Sequence, residues 1–155
     1  MSDSEVVLVS ACLIGTNCRY DGKNKLNSDV LEFLKGKKYL PVCPETLSGF
    51  RIPHPPAEIS GGDGADVLNG EAEVFTSEGE IVTDEYISGA VRTAEIAEGK
   101  NIGSAILKDR SPACGVNYIH NGKFKGVIKK GMGVTAALLS IKGIKVLSEN
   151  SLNRR

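Results

Sequence analysis

The first hydrophobic block of the chain, residues 6–10, is a short continuous run (Val6-Val7-Leu8-Val9-Ser10) without polar alternation. A run of that length predicts a strand buried on both faces, as in a parallel sheet. Val30, Leu31, Phe33 and Leu34 then recur at helical spacing behind an Asn27-Ser28 cap, which predicts a helix to about residue 35, stopped by Gly36. A second short strand follows over 39–42, giving a β-loop-α-β unit and therefore a right-handed parallel crossover. Residues 50–64 are rich in Pro and Gly and predict a loop with no regular element. Residues 72–76 and 80–82 flank Ser77-Glu78-Gly79 as a hairpin. An amphipathic helix is expected over 84–98, with Thr83 before it and Gly99 ending it, and a strand over 103–107. Asn121-Gly122 predicts a tight hairpin between 118–120 and 123–126. A helix over 133–141 ends at Gly143, and a last strand lies near 145–147. The alternation predicts an α/β fold: a single three-layer Rossmann-like domain over 1–155, core about 6–149, with a mostly parallel sheet and a hairpin insertion.

Composition narrows the function classes. Nineteen basic residues balance nineteen acidic ones, which argues against a broad electrostatic footprint for polymeric nucleic acid or anionic membrane. The Arg154-Arg155 pair reads as a solvated tail. No stretch approaches the ~20 apolar residues of a membrane span. The start, Met1-Ser2-Asp3-Ser4-Glu5, is acidic where a secretory signal is basic. The expectation is a cytoplasmic protein, where thiols stay reduced, so its four cysteines are ligands, nucleophiles or core rather than disulfides.

Three of those cysteines, Cys12, Cys43 and Cys114, each fall just past the carboxyl end of a predicted strand. In a parallel sheet those ends share one edge, outside which ligands bind. Sulfurs 31 and 71 residues apart in sequence can therefore meet in space. Three convergent thiolates suit an iron–sulfur cluster with one iron left open. The close pairs of a structural zinc site are missing, although any single cysteine could equally fill core. Cys18 is a fourth thiol, deeper in the loop 16–22. Glu45 lies two residues from Cys43, where the negative charge of a cluster would raise its pKa toward the range useful for proton transfer; the plainer alternative is a surface carboxylate in a turn. Ser111 could relay a proton, hold substrate or cap its turn. Lys108 and Arg110 could receive an anionic group or face solvent, and Gly133 opens a helix whose start could bind an anion. Gly61-Gly62-Asp63-Gly64 follows no strand and carries no Lys-Ser/Thr, so it is weak as a phosphate loop. His54 and His120 are too far apart to suggest a metal pair.

Seven segments in order carry a resemblance: Val9-Ser10-Ala11-Cys12-Leu13-Ile14-Gly15, Arg19-Tyr20-Asp21-Gly22, Pro41-Val42-Cys43-Pro44-Glu45, Pro55-Pro56-Ala57-Glu58-Ile59, Ala105-Ile106-Leu107-Lys108, Arg110-Ser111-Pro112-Ala113-Cys114-Gly115 and Gly133-Val134-Thr135-Ala136. From residue 6 to about 149 the chain resembles the thiouracil desulfidase family. The resemblance implies an oxygen-independent enzyme with a [4Fe–4S] cluster on Cys12, Cys43 and Cys114, one iron open, and Glu45 and Ser111 as the acid–base pair. It implies a small-molecule substrate, a thiolated pyrimidine as free base or nucleotide, whose soft sulfur binds the open iron. Glu45 would deprotonate a water, Ser111 would pass the proton on, and hydrosulfide would leave without redox change. His54 stands where the family usually has Arg, and Ala113 where it often has Ser. Rival readings are an iron–sulfur electron-transfer or sensing module, with Cys18 as fourth ligand, and a zinc- or thiol-dependent binding protein without turnover.

Overall fold

A computed structural model describes residues 6–152; the acidic start and the Arg154-Arg155 tail lie outside the described residues. The chain runs β1 (Val6–Ser10), a 3-10 turn (Ala11–Ile14), α1 (Ser28–Leu34), β2 (Lys38–Val42) and α2 (Pro44–Leu47). It continues through β3 (Ala57–Ser60), α3 (Gly64–Leu68), β4 (Glu73–Thr76), α4 (Thr83–Gly99) and β5 (Ser104–Leu107). The last elements are β6 (Tyr118–His120), β7 (Ile128–Lys130), α5 (Val134–Ile141), β8 (Lys145–Ser148) and a closing 3-10 turn.

Four strands form the central sheet in the order β2-β1-β5-β8, every neighbour parallel, as the apolar run of β1 required. Its side chains alternate between two cores. Val7 and Val9 pack with Val30 and Leu34 of α1 on one face. Leu8 packs with Ala90 and Ala94 of α4 and Leu139 of α5 on the other. Helices on both faces make the three layers. The chain steps outward from β1 to β2 and then returns across β1 to β5 and β8. The winding therefore reverses between β1 and β5, and the crevice at their carboxyl ends is where such a sheet binds ligands.

The Pro- and Gly-rich segment departs from expectation. Residues 57–60 form β3, antiparallel to β4, and α3 follows behind a capping box between Asp63 and Asp66. Of the expected partner run 80–82, only Ile81 bridges to Phe75. The second hairpin exists, but β6 pairs with 128–130 and leaves 121–127 as its loop. The cause is a distant carboxylate: Glu58 Oε1 accepts the amides of Gly122 (2.9 Å) and Phe124 (3.1 Å). Gly122 holds a φ of +92°, and a Cβ there would stand 2.5 Å from the Ile59 carbonyl oxygen. The Asn-Gly pair thus serves a long-range contact instead of a two-residue turn.

Candidate functional site

A cavity of about 560 Å³ opens at the carboxyl ends of β1, β2 and β5. Cys12 enters it from the 3-10 turn after β1, Cys43 from the residue that caps α2, and Cys114 from the turn after β5. Cys18 lines it too.

The Cys114 turn is built around a buried carboxylate that sequence reasoning passed over. Asp109 Oδ1 accepts the amides of Arg110, Val116, Asn117 and Tyr118 at 2.9–3.1 Å. Its own amide donates to Glu149 Oε1 at 2.8 Å. Ser111 Oγ accepts the amides of Ala113 and Cys114, both at 3.0 Å. A hydroxyl has two acceptor positions and one proton, so Ser111 caps the turn and retains one free donor. Ser10 ties the two strand ends together: its Oγ accepts the Lys108 amide at 3.0 Å. Lys108, expected to meet an anion, is already committed: its Nζ lies 3.0 Å from Glu149 Oε2 and donates to the Asp109 carbonyl at 2.7 Å. Arg110 lines the cavity with an exposed side chain, at a backbone φ of +72°.

The thiols differ in their environments. Burial pushes Cys12 up to about 11, opposed by the charges of Arg19 and Lys108. Burial also raises Cys114, offset by the Ser10 hydroxyl. Cys43, half-buried, is lowered to about 6, first by a hydrogen bond from Cys18 and then by Thr46. Cys18 is raised because it donates that bond. Cys43 Sγ also lies 3.5 Å from the Cys18 carbonyl oxygen. Of the adjacent pair, Cys43 ionises first.

Glu45 follows in the first turn of α2 and lines the cavity. Its Oε2 accepts the hydroxyl of Tyr86 from α4. Tyr86 is 3% exposed, and its pKa is held well above the ordinary value by burial and then by the Glu45 charge, so it stays a donor. Gly89 allows the close approach of the two helices, because a Cβ there would collide with the Pro44 carbonyl. Sequence reasoning placed Tyr86 on an amphipathic helix and gave it no role; Gly89, inside an otherwise good helix, was the signal that another backbone comes close.

Other candidates are placed differently from expectation. Gly133 is not among the lining residues, and the α5 start it opens is closed to anions. The amides of Val134 and Thr135 donate to the carbonyls of Pro112 (2.8 Å) and Ala113 (2.9 Å). His54 stacks on Phe50, centroids 4.7 Å apart, outside the lining. His120 and Arg19 do line the cavity, and His120 Nδ1 and Arg19 Nε are buried without a hydrogen-bond partner among the described residues. Glu58 closes another side through the 121–127 loop, which contributes Phe124 and Gly126.

The family model described as 2-thiouracil desulfurase matches residues 7–151. The chain belongs to the 2-thiouracil desulfurase family. Within reach of the family lies a relative from Bacillus subtilis (strain 168), protein YbbK, 47% identical over 148 residues, covering 96% of this chain and 98% of the relative. A solved structure described as a [4Fe-4S]-dependent thiouracil desulfidase, TudS, superposes with a TM-score of 0.83 at 40% identity. The match covers 96% of this chain and 93% of that one.

The donor set of this 2-thiouracil desulfurase family member suits a cluster better than a single ion. Cys12, Cys43 and Cys114 line one cavity. Yet among the described residues no three His, Cys, Asp or Glu side chains close on one ion. In a cluster each thiolate binds its own iron, so its sulfurs stand apart. Among the described residues no helix is long and apolar enough to cross a membrane.

Proposed function

We propose that this chain is a [4Fe–4S]-dependent desulfidase that converts the thiocarbonyl of a thiolated uracil, as free base or nucleotide, to a carbonyl. Cys12, Cys43 and Cys114 hold the cluster and leave one iron for substrate. The observation that carries the reading is the meeting of three strand-end thiols with a carboxylate that keeps one oxygen free, in one cavity of substrate size. A bound cluster supplies Lewis acidity toward the soft sulfur of a C=S bond.

The protein supplies the rest. Glu45 takes a proton from a water, and the resulting hydroxide attacks the thiocarbonyl carbon. Tyr86 fixes the carboxylate so that its other oxygen faces the cavity. Ser111, with both acceptor positions filled by the Cys114 turn, acts as a donor toward the departing sulfur. The balance is C=S plus water giving C=O plus hydrogen sulfide, with no electron gained or lost. Arg110 takes over from the paired Lys108 as the anion contact for a substrate phosphate.

Anaerobic reconstitution with iron and sulfide tests this. The expected protein is brown, holds about four irons and releases sulfide from 2-thiouracil. Glu45→Gln keeps that spectrum and lowers turnover by about 10²–10⁴-fold. Full turnover in Glu45→Gln would reassign the base, and a protein that binds no iron would overturn the reading.

A further inference from the structure

Cys18 lies within the cavity but outside the three strand ends, and no step above uses it. It is buried, whereas its neighbour Cys43 is half-buried and open to the cavity. The two cysteines meet at the cavity wall: Cys43 Sγ reaches the Cys18 carbonyl oxygen at 3.5 Å, and both residues line the same cavity. The loop carrying Cys18 lies outside any strand or α-helix between the first 3-10 turn and α1, so its backbone can follow a small sulfur displacement.

The geometry points to a modification site: in the cluster-free protein Cys18 and Cys43 close a disulfide at the expense of a low-molecular-weight disulfide. The inference rests on the proposed function in one respect, that a bound cluster holds Cys43 and blocks the reaction. Access sets the order of the two exchanges. The Cys43 sulfur attacks the small disulfide, forming a mixed disulfide and expelling one thiolate, which takes up the Cys43 proton. Cys18 then attacks the Cys43 sulfur and expels the second thiolate, which takes up the Cys18 proton. Two protein thiols are oxidised and one small disulfide is reduced to two thiols. The product keeps a site cysteine off the irreversible oxidation ladder and returns it on reduction.

The test uses the full chain, stripped of iron, exposed to oxidised glutathione and trapped by alkylation. Two of the four thiols are expected to disappear. Cys12 and Cys18 share the tryptic peptide ending at Arg19, so fragmentation must place the link on Cys18. Dithiothreitol should restore both thiols and iron uptake. In Cys18→Ser the reaction should stop with one glutathione on Cys43. The reconstituted protein should keep its thiols under the same exposure. Survival of all four thiols in the stripped protein, or a link from Cys12 to Cys43 or Cys114, overturns the inference. Failure to take up iron would instead count against the proposed function, because the disulfide is read on cluster-free protein.

Discussion

The stretch after β5 and the stretch after β2 each bring a carboxylate to the cavity, with opposite results. Asp109 gathers four main-chain amides on one oxygen and is 3% exposed. Among the described residues the Glu45 carboxylate has one hydrogen-bond partner, the Tyr86 hydroxyl on Oε2, and Glu45 lines the cavity. The first carboxylate is consumed in shaping the turn that presents Cys114. The second is held at one end by Tyr86 and is the base of the proposed function. On that proposal, proximity to the cysteines does not separate a structural acid from a chemical one; the count of filled acceptor positions does.

Three substitutions sharpen that contrast, in falling order of effect. Asp109→Ala strands four amides, that of Val116 in a fully buried bond and the other three in partly buried ones, and should cost about 3–4 kcal/mol, read as a lower urea midpoint; an unchanged midpoint would break the distinction. Gly89→Ala places a methyl against the Pro44 carbonyl. After the ~1 kcal/mol that alanine gains in helix propensity, it should still cost about 1–2 kcal/mol in strain. It should also lower kcat, because α2 must move and carries Glu45 with it; wild-type kcat would show that the helix contact does not set the carboxylate. Tyr86→Phe keeps the ring against Phe50, 5.5 Å away, and removes only the hydroxyl. The expected loss is about 1 kcal/mol, roughly fivefold in kcat with KM unchanged. A rise in KM alone would assign Tyr86 to substrate contact instead.

The elements that bury a continuous or periodic apolar face were legible in the sequence: β1, α1, α4, β5, α5 and β8 all fall within a residue or two of expectation. So were the cavity cysteines, because strand ends in a parallel sheet share an edge. What the chain hid was non-local. β3 is only Ala57–Ser60, and its Glu58 is buried for the sake of amides more than sixty residues away. Asn121-Gly122 obeys that carboxylate and not the local turn rule. Tyr86 reads as one more residue on a helix until α2 is laid across Gly89. Lys108 and Gly133 looked available because their partners, Glu149 and the carbonyls of 112–113, are supplied by other parts of the fold.

Ribosomes deliver the three strand-end sulfurs at different times. Cys114 is made 102 residues after Cys12, a delay of roughly 5–20 s at ordinary synthesis rates. During that interval Cys12 and Cys43 exist without their third partner, and β5 is not yet there to sit beside β1. On the proposed function, a site spread over β1, β2 and β5 is complete only once Cys114 has been made and β5 has joined β1, so cofactor delivery comes late and meets a sheet that is already assembling.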